Sequence, residues 1–315
     1  MTALRIVVAL GGNALLRRGE PMTAETQRAN VRRAVAALLP LFDAGHQLII
    51  THGNGPQVGL LALQAAAGPM QGAYPLDVLD AESEGMVGYL IEQQLDNALP
   101  SGRLVATLLT QILVDRRDPA FRRPTKPIGP IYDKAEAEKL AQARGWTIAA
   151  DEKGWRRVVA SPRPLQILEA RVIELLVSQG VTVICAGGGG IPVLERNDGS
   201  LVGVEAVIDK DLASALLARQ LRADHLMLLT DVDAVYLNNW GTDVAKAIKQ
   251  AGAASLNPGD FAPGSMGPKI EAAIGFAAET GRPSSIGRLE DAADIVAGGA
   301  GTRIDIATKG IVLRL

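Results

Sequence analysis

Cysteine is nearly absent from this 315-residue chain: the single residue, Cys185, cannot form an internal disulfide. The three histidines, His46, His52 and His225, are too scattered to make a zinc site. Aromatic residues make up only 3%, leaving few platforms on which unpaired bases could stack. Charge of one sign is missing too: 32 basic against 34 acidic side chains give a net charge of -2, without the basic excess of a nucleic-acid binder. No stretch reaches the roughly 18 uninterrupted apolar residues of a membrane span. Met1–Leu10 is too short for a signal peptide and lacks a cleavage site. These absences predict a cytoplasmic protein in a reducing setting, with neither nucleic acid nor membrane as partner. A hydrophobic fraction of 48% excludes disorder as the dominant state. Glycine is abundant, 34 residues or about 11% where about 7% is usual.

The length suits one large α/β domain or two lobes sharing a sheet. Ile6–Leu10, Gln47–Thr51, Leu104–Leu109, Val181–Ala186 and His225–Thr230 are apolar runs without alternation, as expected of parallel strands buried on both faces. Helical patterns lie between them, near Thr23–Ala44, Pro56–Ala67, Leu76–Leu99, Pro164–Gln179, Lys210–Arg222 and Lys269–Thr280. The alternation predicts an α/β fold, a mostly parallel sheet with helices on both faces and ligands beyond the carboxyl ends of the strands. Arg116–Pro164 breaks the rhythm. Its basic and proline-rich stretch and two short strand candidates, Trp146–Ala150 and Trp155–Ala160, suggest a small excursion, or else an exposed connecting loop. Ala307–Leu315 reads equally as a last strand or a tail.

The glycines cluster. Gly11-Gly12-Asn13, Gly53-Asn54-Gly55 and Gly187–Gly190 each follow a predicted strand, and Gly264-Ser265-Met266-Gly267-Pro268-Lys269 opens a predicted helix. Glycine lets a ligand approach bare backbone N–H groups, and a helix N-terminus adds unpaired donors that bind phosphate. Glycine in a βα turn can also be purely steric, although several such clusters in one chain are harder to assign that way. No Walker A loop is present, because Lys269 is followed by Ile270. Gly53–Gly59 misses the dinucleotide spacing by one residue, so a nicotinamide enzyme is only the remote alternative.

Two lysines stand where helices begin. Asp209 is a natural N-cap, placing Lys210 in a first turn, and Pro268 suits a first helical position just before Lys269. A cation there opposes the helix dipole by about 0.3–1 kcal/mol. Either each snorkels into water, or each awaits a ligand with several negative charges, with Asp209 and Asp211 offsetting Lys210 in the empty site. The second reading points to phosphoryl transfer, in which positioning and charge stabilisation carry the catalysis. An anionic acceptor oxygen needs no general base, in keeping with the lack of a His–carboxylate pair. His52 and Cys185 read as packed residues, and Thr230–Tyr236 reads as a turn more readily than as a ribose or Mg²⁺ site.

Seven segments together resemble carbamate kinase, in that family's order. They are Val8-Ala-Leu-Gly-Gly-Asn13, His52-Gly-Asn-Gly-Pro-Gln-Val58, Pro124-Thr-Lys-Pro-Ile-Gly129, Gly187-Gly-Gly-Gly-Ile-Pro-Val193, Ala206-Val-Ile-Asp-Lys-Asp-Leu-Ala213, Leu229-Thr-Asp-Val-Asp-Ala-Val-Tyr236 and Gly264-Ser-Met-Gly-Pro-Lys269. The resemblance implies the amino-acid-kinase fold, a three-layer αβα sandwich with a small protruding lid, usually as a homodimer. It divides the chain into a lobe at 1–212, with the lid at 116–164, and a nucleotide-binding lobe at 213–315. It implies reversible transfer of a phosphoryl group between carbamoyl phosphate and ADP, with Mg²⁺ arriving on the nucleotide and no dedicated metal ligands. By similarity Gly11, Gly12, Asn13, Gly53 and Asn54 would line the carbamoyl phosphate site. Lys210 and Lys269 would clamp the phosphoryl group with Asp211 orienting them, and Lys126 would reach in from the lid. Thr230, Asp231, Tyr236, Gly264 and Met266 would serve the nucleotide. Ala9 stands where many amino acid kinases carry lysine, which favours the carbamate branch over acetylglutamate or uridylate kinases. Ala160 stands where the branch usually has proline, which touches the lid. A sister kinase for another small acid and a non-catalytic sensor of carbamoyl phosphate or nucleotide remain the alternatives. The family association suggests ATP generation in arginine or purine breakdown.

Overall fold

Residues 6–10 contain no polar side chain because neither face of their strand meets water. Ile6, Val8 and Leu10 enter one core, while Val7 and Ala9 enter another on the opposite side. A strand covered on both faces has no solvent side to mark with polar residues. A computed structural model describes residues 3–17, 19–67, 74–151, 154–237, 241–242 and 244–314, and of Asn13 it describes the backbone alone.

The chain begins with β1 (Arg5–Leu10), α1 (Ala24–Asp43), β2 (Gln47–His52), α2 (Gly55–Ala67), α3 (Leu76–Ala98) and β3 (Val105–Thr107). The middle comprises β4 (Gln111–Val114), β5 (Lys126–Tyr132), α4 (Lys134–Arg144), β6 (Thr147–Asp151), β7 (Gly154–Val159) and β8 (Pro164–Ile167). Then come α5 (Ala170–Ser178), β9 (Thr182–Ile184), β10 (Ile191–Glu195), β11 (Leu201–Gly203), α6 (Lys210–Gln220), β12 (His225–Thr230), β13 (Val235–Leu237) and β14 (Lys246–Gly252). The chain closes with α7 (Met266–Thr280), β15 (Ser284–Arg288), α8 (Ala292–Ala297), β16 (Thr302–Asp305) and β17 (Ile311–Leu313).

The main sheet runs β13-β14-β16-β15-β12-β1-β2-β9-β3, with β17 also on β14. Its centre, β15-β12-β1-β2-β9-β3, is parallel throughout. Helices α1, α3 and α8 supply Val31, Leu38, Ile91 and Ile295 to one core. Helices α5, α6 and α7 supply Ile173, Leu217 and Phe276 to the other. The result is the expected αβα sandwich. One sheet runs through both halves of the chain, and a division after residue 212 falls just inside α6.

The excursion is a built unit. Antiparallel β4 and β8 form its stem, and beyond them β5-β7-β6 makes a separate sheet against which α4 packs. The two predicted short strands are β6 and β7. Helix α4, absent from the sequence reading, is capped by Asp133, which accepts from the Glu136 N–H at 2.9 Å, and closed by Gly145 at φ +68°. Ala160 is buried, and its carbonyl accepts from the Val207 N–H at 2.9 Å, tying the excursion to the segment before α6. Val58, Leu79, Ile128, Val159 and Val207 form a small core beneath it.

Two sequence expectations shift, and one open alternative is decided. Pro164–Ile167 is a strand rather than the start of a helix: proline is tolerated at the first residue of a strand, and Ile167 is needed in the core. Helix α7 begins at Met266, capped by Ser265, so Pro268 is its third residue and still lies in the turn where a missing N–H breaks no helical bond. The C-terminal segment is a strand, β17, antiparallel to β14.

Candidate active site

The carboxyl ends of β1, β2 and β12 meet at two glycine turns. The Gly11 N–H donates to the Leu229 carbonyl at 3.0 Å, and the Gly53 N–H to the Leu10 carbonyl at 3.1 Å. A Cβ on Gly11 would stand 2.8 Å from the Leu229 oxygen, so glycine there answers a backbone contact. The expectation that backbone amides of all these glycines face a ligand is therefore narrowed, because those of Gly11 and Gly53 already serve the strands. At Gly12 a Cβ would meet nothing within 4 Å, and the same holds at Gly55. Neither has a positive φ, which leaves open space in front of them with no packing reason for glycine. The side chain of Asn13 lies outside the described residues.

The third cluster has a different reason to exist. A Cβ on Gly187 would lie 2.3 Å from the His52 ring, and one on Gly188, at φ +69°, 2.1 Å from the Asn54 amide nitrogen. These glycines let the side chains of His52 and Asn54 press against bare backbone. The expectation of a phosphate loop at Gly187–Gly190 gives way to packing.

Above the strand ends, α6 and α7 pack together and bring their first turns into contact. Asp209 caps α6, accepting from the Asp211 N–H at 2.9 Å. Lys210 Nζ donates to Asp211 Oδ1 at 2.7 Å, and Lys269 Nζ donates to Asp211 Oδ2 at 2.8 Å. Each lysine side chain is only 12% exposed, and that of Asp211 6%. Burial alone would raise the Asp211 pKa, but the two ammonium groups outweigh it and hold the carboxylate well below its usual range. Burial pulls the Lys210 pKa down, assisted by Lys269 and opposed by Asp211. For Lys269 burial acts in the same direction, yet Asp211 prevails and the pKa is raised. Lys126, at the head of β5, donates to Asp209 Oδ2 at 3.0 Å, so the excursion delivers a third lysine to this cluster. The role sketched for Asp209 and Asp211 around Lys210 alone is thereby divided: Asp211 bridges two lysines, and Asp209 holds Lys126.

His52 is fully buried and its pKa is lowered to about 4, first by burial and further by the charge of Lys210. Its neutral ring donates from Nδ1 to the Gly53 carbonyl at 3.0 Å. Thr230 Oγ1 donates to Asp231 at 3.1 Å, and the Tyr236 hydroxyl donates to Asp233 at 2.9 Å. Gly264, at φ +75°, and Met266, the first residue of α7, lie at the entrance to the Lys269 helix. A cavity of about 310 Å³ opens beside Gly11, Thr230 and Asp231, with Arg17, Arg33 and Arg288 in its wall. A larger one, about 590 Å³, lies between the excursion and α2 and α3, away from the lysine pair.

Sequence reasoning missed the buried polar face of α3. Glu84 accepts from the Thr110 N–H at 3.2 Å and the Gly187 N–H at 2.8 Å. Burial, only partly offset by those bonds, pushes its pKa up to about 8. Asp80 is likewise raised well above its usual value, mainly by burial. The signal was present: Asp80 and Glu84 occupy the same helical stripe as the core residues Val87 and Ile91.

Two lysine-bearing helix N-termini above glycine turns at parallel strand ends define a phosphotransferase. The chain belongs to the amino acid kinase family, which it matches over residues 4–288. It is 56% identical over 308 residues to the carbamate kinase of Haemophilus influenzae, spanning 98% of this chain and 99% of that protein. To the carbamate kinase of Rhizobium meliloti it is 54% identical, spanning 98% and 95%. The structure of carbamate kinase from Giardia lamblia bound to AMP-PNP superposes with a TM-score of 0.89 at 42% identity, covering 96% of this chain and 99% of that one. Within its family the chain thus falls in the carbamate kinase branch.

Replacing Asp211 by Asn removes the carboxylate that bridges two buried ammonium groups, and urea unfolding should show a loss of about 3–5 kcal/mol. An unchanged midpoint would remove Asp211 as their bridge. Glu84 offers a test with a definite sign. Its folded pKa is raised, so its stabilising contribution is complete below the usual 4.5 and is lost as pH rises through about 8. Melting temperatures of wild type and Glu84→Gln, compared at pH 5 and pH 9, should shift in favour of the variant at the higher pH. A constant difference would place the Glu84 pKa near that of an ordinary carboxyl.

Proposed function

We infer that the chain transfers a phosphoryl group reversibly between carbamoyl phosphate and ADP, giving carbamate and ATP. The observation that carries this reading is the Lys210–Asp211–Lys269 bridge at two helix N-termini, and the curated relatives named carbamate kinase agree with it. In this reading Lys210 and Lys269 meet the charge spread over the oxygens of the phosphoryl group in flight. Asp211 keeps both ammonium groups charged and aimed. Lys126 closes on the substrate from the excursion, which acts as a lid over the lobe at 1–212. Carbamoyl phosphate is received at the strand ends formed by Gly11, Gly12, Asn13, Gly53 and Asn54, over the open ground before Gly12. Thr230, Asp231 and Tyr236 serve the nucleotide in the lobe at 213–315, with Gly264 and Met266 presenting the α7 N-terminus to its phosphates. The carbamate oxygen is already anionic, so no general base is required, and neutral, buried His52 supplies none.

Magnesium takes most of its shell from phosphate oxygens and water, with one or two carboxylates at most. Asp209 and Asp211 are committed to lysines, which fits an ion carried in by the nucleotide, where it would shield the phosphate charge. Among the described residues no helix is long and apolar enough to cross a membrane, and a cytoplasmic role in arginine or purine breakdown belongs to the same reading. A homodimer is supported by the free edge at β3, where Leu104, Leu109 and, on the neighbouring helices α3 and α5, Tyr89 and Leu175 are exposed.

ATP should form from ADP and carbamoyl phosphate with magnesium present. Lys210→Ala and Lys269→Ala should each lower kcat by about 10²–10³ while circular dichroism stays native. Near-normal turnover in both variants would sink the clamp. Sedimentation should give twice the mass of the 33.0 kDa chain, and a monomer at micromolar concentration would remove the dimer.

A further inference from the structure

The side-chain amide of Asn54 can be oriented by hydrogen-bond logic alone. Asn54 follows β2 and is 3% exposed. The Ser83 hydroxyl donates its single proton to the Asp80 backbone carbonyl at 3.0 Å. Having given that proton away, Ser83 Oγ can only accept, so the Asn54 atom 2.8 Å from it is the amide nitrogen. Asp80 Oδ1, at 3.5 Å, lies on the same side as a second, weaker acceptor. The flat face of the amide presses on Gly188, where no side chain could fit. Both amide ends are thereby assigned. The nitrogen points into α3, and Oδ1, which has no partner among the described residues and is not among the sealed, unpaired atoms, is the open end.

An open carbonyl oxygen offers acceptance and nothing else. Carbamate and carbamoyl phosphate carry an amino group, whose hydrogens need an acceptor. The corresponding group of acetyl phosphate, a methyl, offers no donor. We propose that Ser83 is a positioning residue that fixes the Asn54 amide with Oδ1 toward the substrate, so that Asn54 selects an amino group over a methyl group. This rests on the carbamoyl phosphate reading above and adds to it the means of discrimination. Burial also raises the Asp80 pKa, which works against a negative charge beside the anionic substrate. The device lies on a helix that contributes no other residue to the predicted site.

Ser83→Ala keeps the size of the side chain and removes the acceptor, leaving the amide free to turn. The test measures the KM for carbamoyl phosphate and the inhibition constant of acetyl phosphate in the ATP-forming reaction, for wild type, Ser83→Ala, Asn54→Ala and the double variant. Ser83→Ala should raise the KM for carbamoyl phosphate about tenfold, the scale of one hydrogen bond, with the acetyl phosphate constant and the melting temperature unchanged. The double variant should lose no more discrimination than Asn54→Ala alone, because Ser83 acts through that amide. Equal weakening toward both anions, unaltered discrimination, or additive losses would each overturn the proposal. Wild-type turnover is the separating control: no ATP from carbamoyl phosphate removes the kinase reading and this inference with it. Turnover with unaltered discrimination in Ser83→Ala removes the inference alone.

Discussion

One carboxylate permits everything else at this site. Two helices that start side by side, each with a lysine in its first turn, bring together two ammonium groups and two partial positive dipole ends. Without compensation such a junction would expel one lysine to water or push the helices apart. Asp211 receives both ammonium groups on separate oxygens, so α6 and α7 can pack with their N-termini converging. Its folded pKa lies below the ordinary carboxylate value, so its stabilising charge is present at neutral pH and is lost only in acid, as pH falls through that depressed value. Removing water from the cluster strengthens every interaction within it, including those a phosphoryl group would make on arrival.

The glycines around the strand ends stand there for different physical reasons. At Gly11 a second strand end passes too closely for a Cβ, and at Gly187 and Gly188 the side chains of His52 and Asn54 occupy the space a Cβ would take. Gly12 and Gly55, by contrast, have empty ground before them and an ordinary φ. Glycine content alone therefore overstates how much backbone faces the ligand. Part of it lets strand ends and polar side chains pack tightly behind the site, as Gly188 does beneath the flat face of the Asn54 amide.

The sheet was legible because its central strands are buried on both faces: a run such as Ile6–Leu10 has no other soluble explanation. The lysine sites were legible through capping chemistry, since Asp209 before Lys210 is a helix start on local grounds. Strand β8 and helix α4 were not, because short elements in an excursion draw their stability from each other and leave weak periodicity. Pro164 at the head of a predicted helix read as a first helical residue, and only the antiparallel partner β4, some fifty residues upstream, decides otherwise. The link between Lys126 and Asp209 was invisible to spacing, because it depends on how far the excursion folds back. The acids of α3 were hidden by a sound habit, since carboxylates in a helix are usually solvated.

That hidden face bears on the electrostatics of the whole site. The proposed anion site would be poorly served by carboxylates behind its floor, yet Asp80 and Glu84 stand there, each almost wholly buried. Burial resolves the conflict, because it raises both pKa values, that of Glu84 to about 8, as it favours the neutral ring of His52. These groups then act through hydrogen bonds: the Glu84 carboxyl holds the Gly187 turn, and the Asp80 carboxyl accepts from the Asn54 amide. At the two helix starts Lys126, Lys210 and Lys269 stand with Asp209 and Asp211, and Arg17, Arg33, Arg288 and Asp231 line the adjoining cavity. A protein with balanced overall charge can thus gather lysines at two converging helix starts, because burial works against charge on the acids behind them.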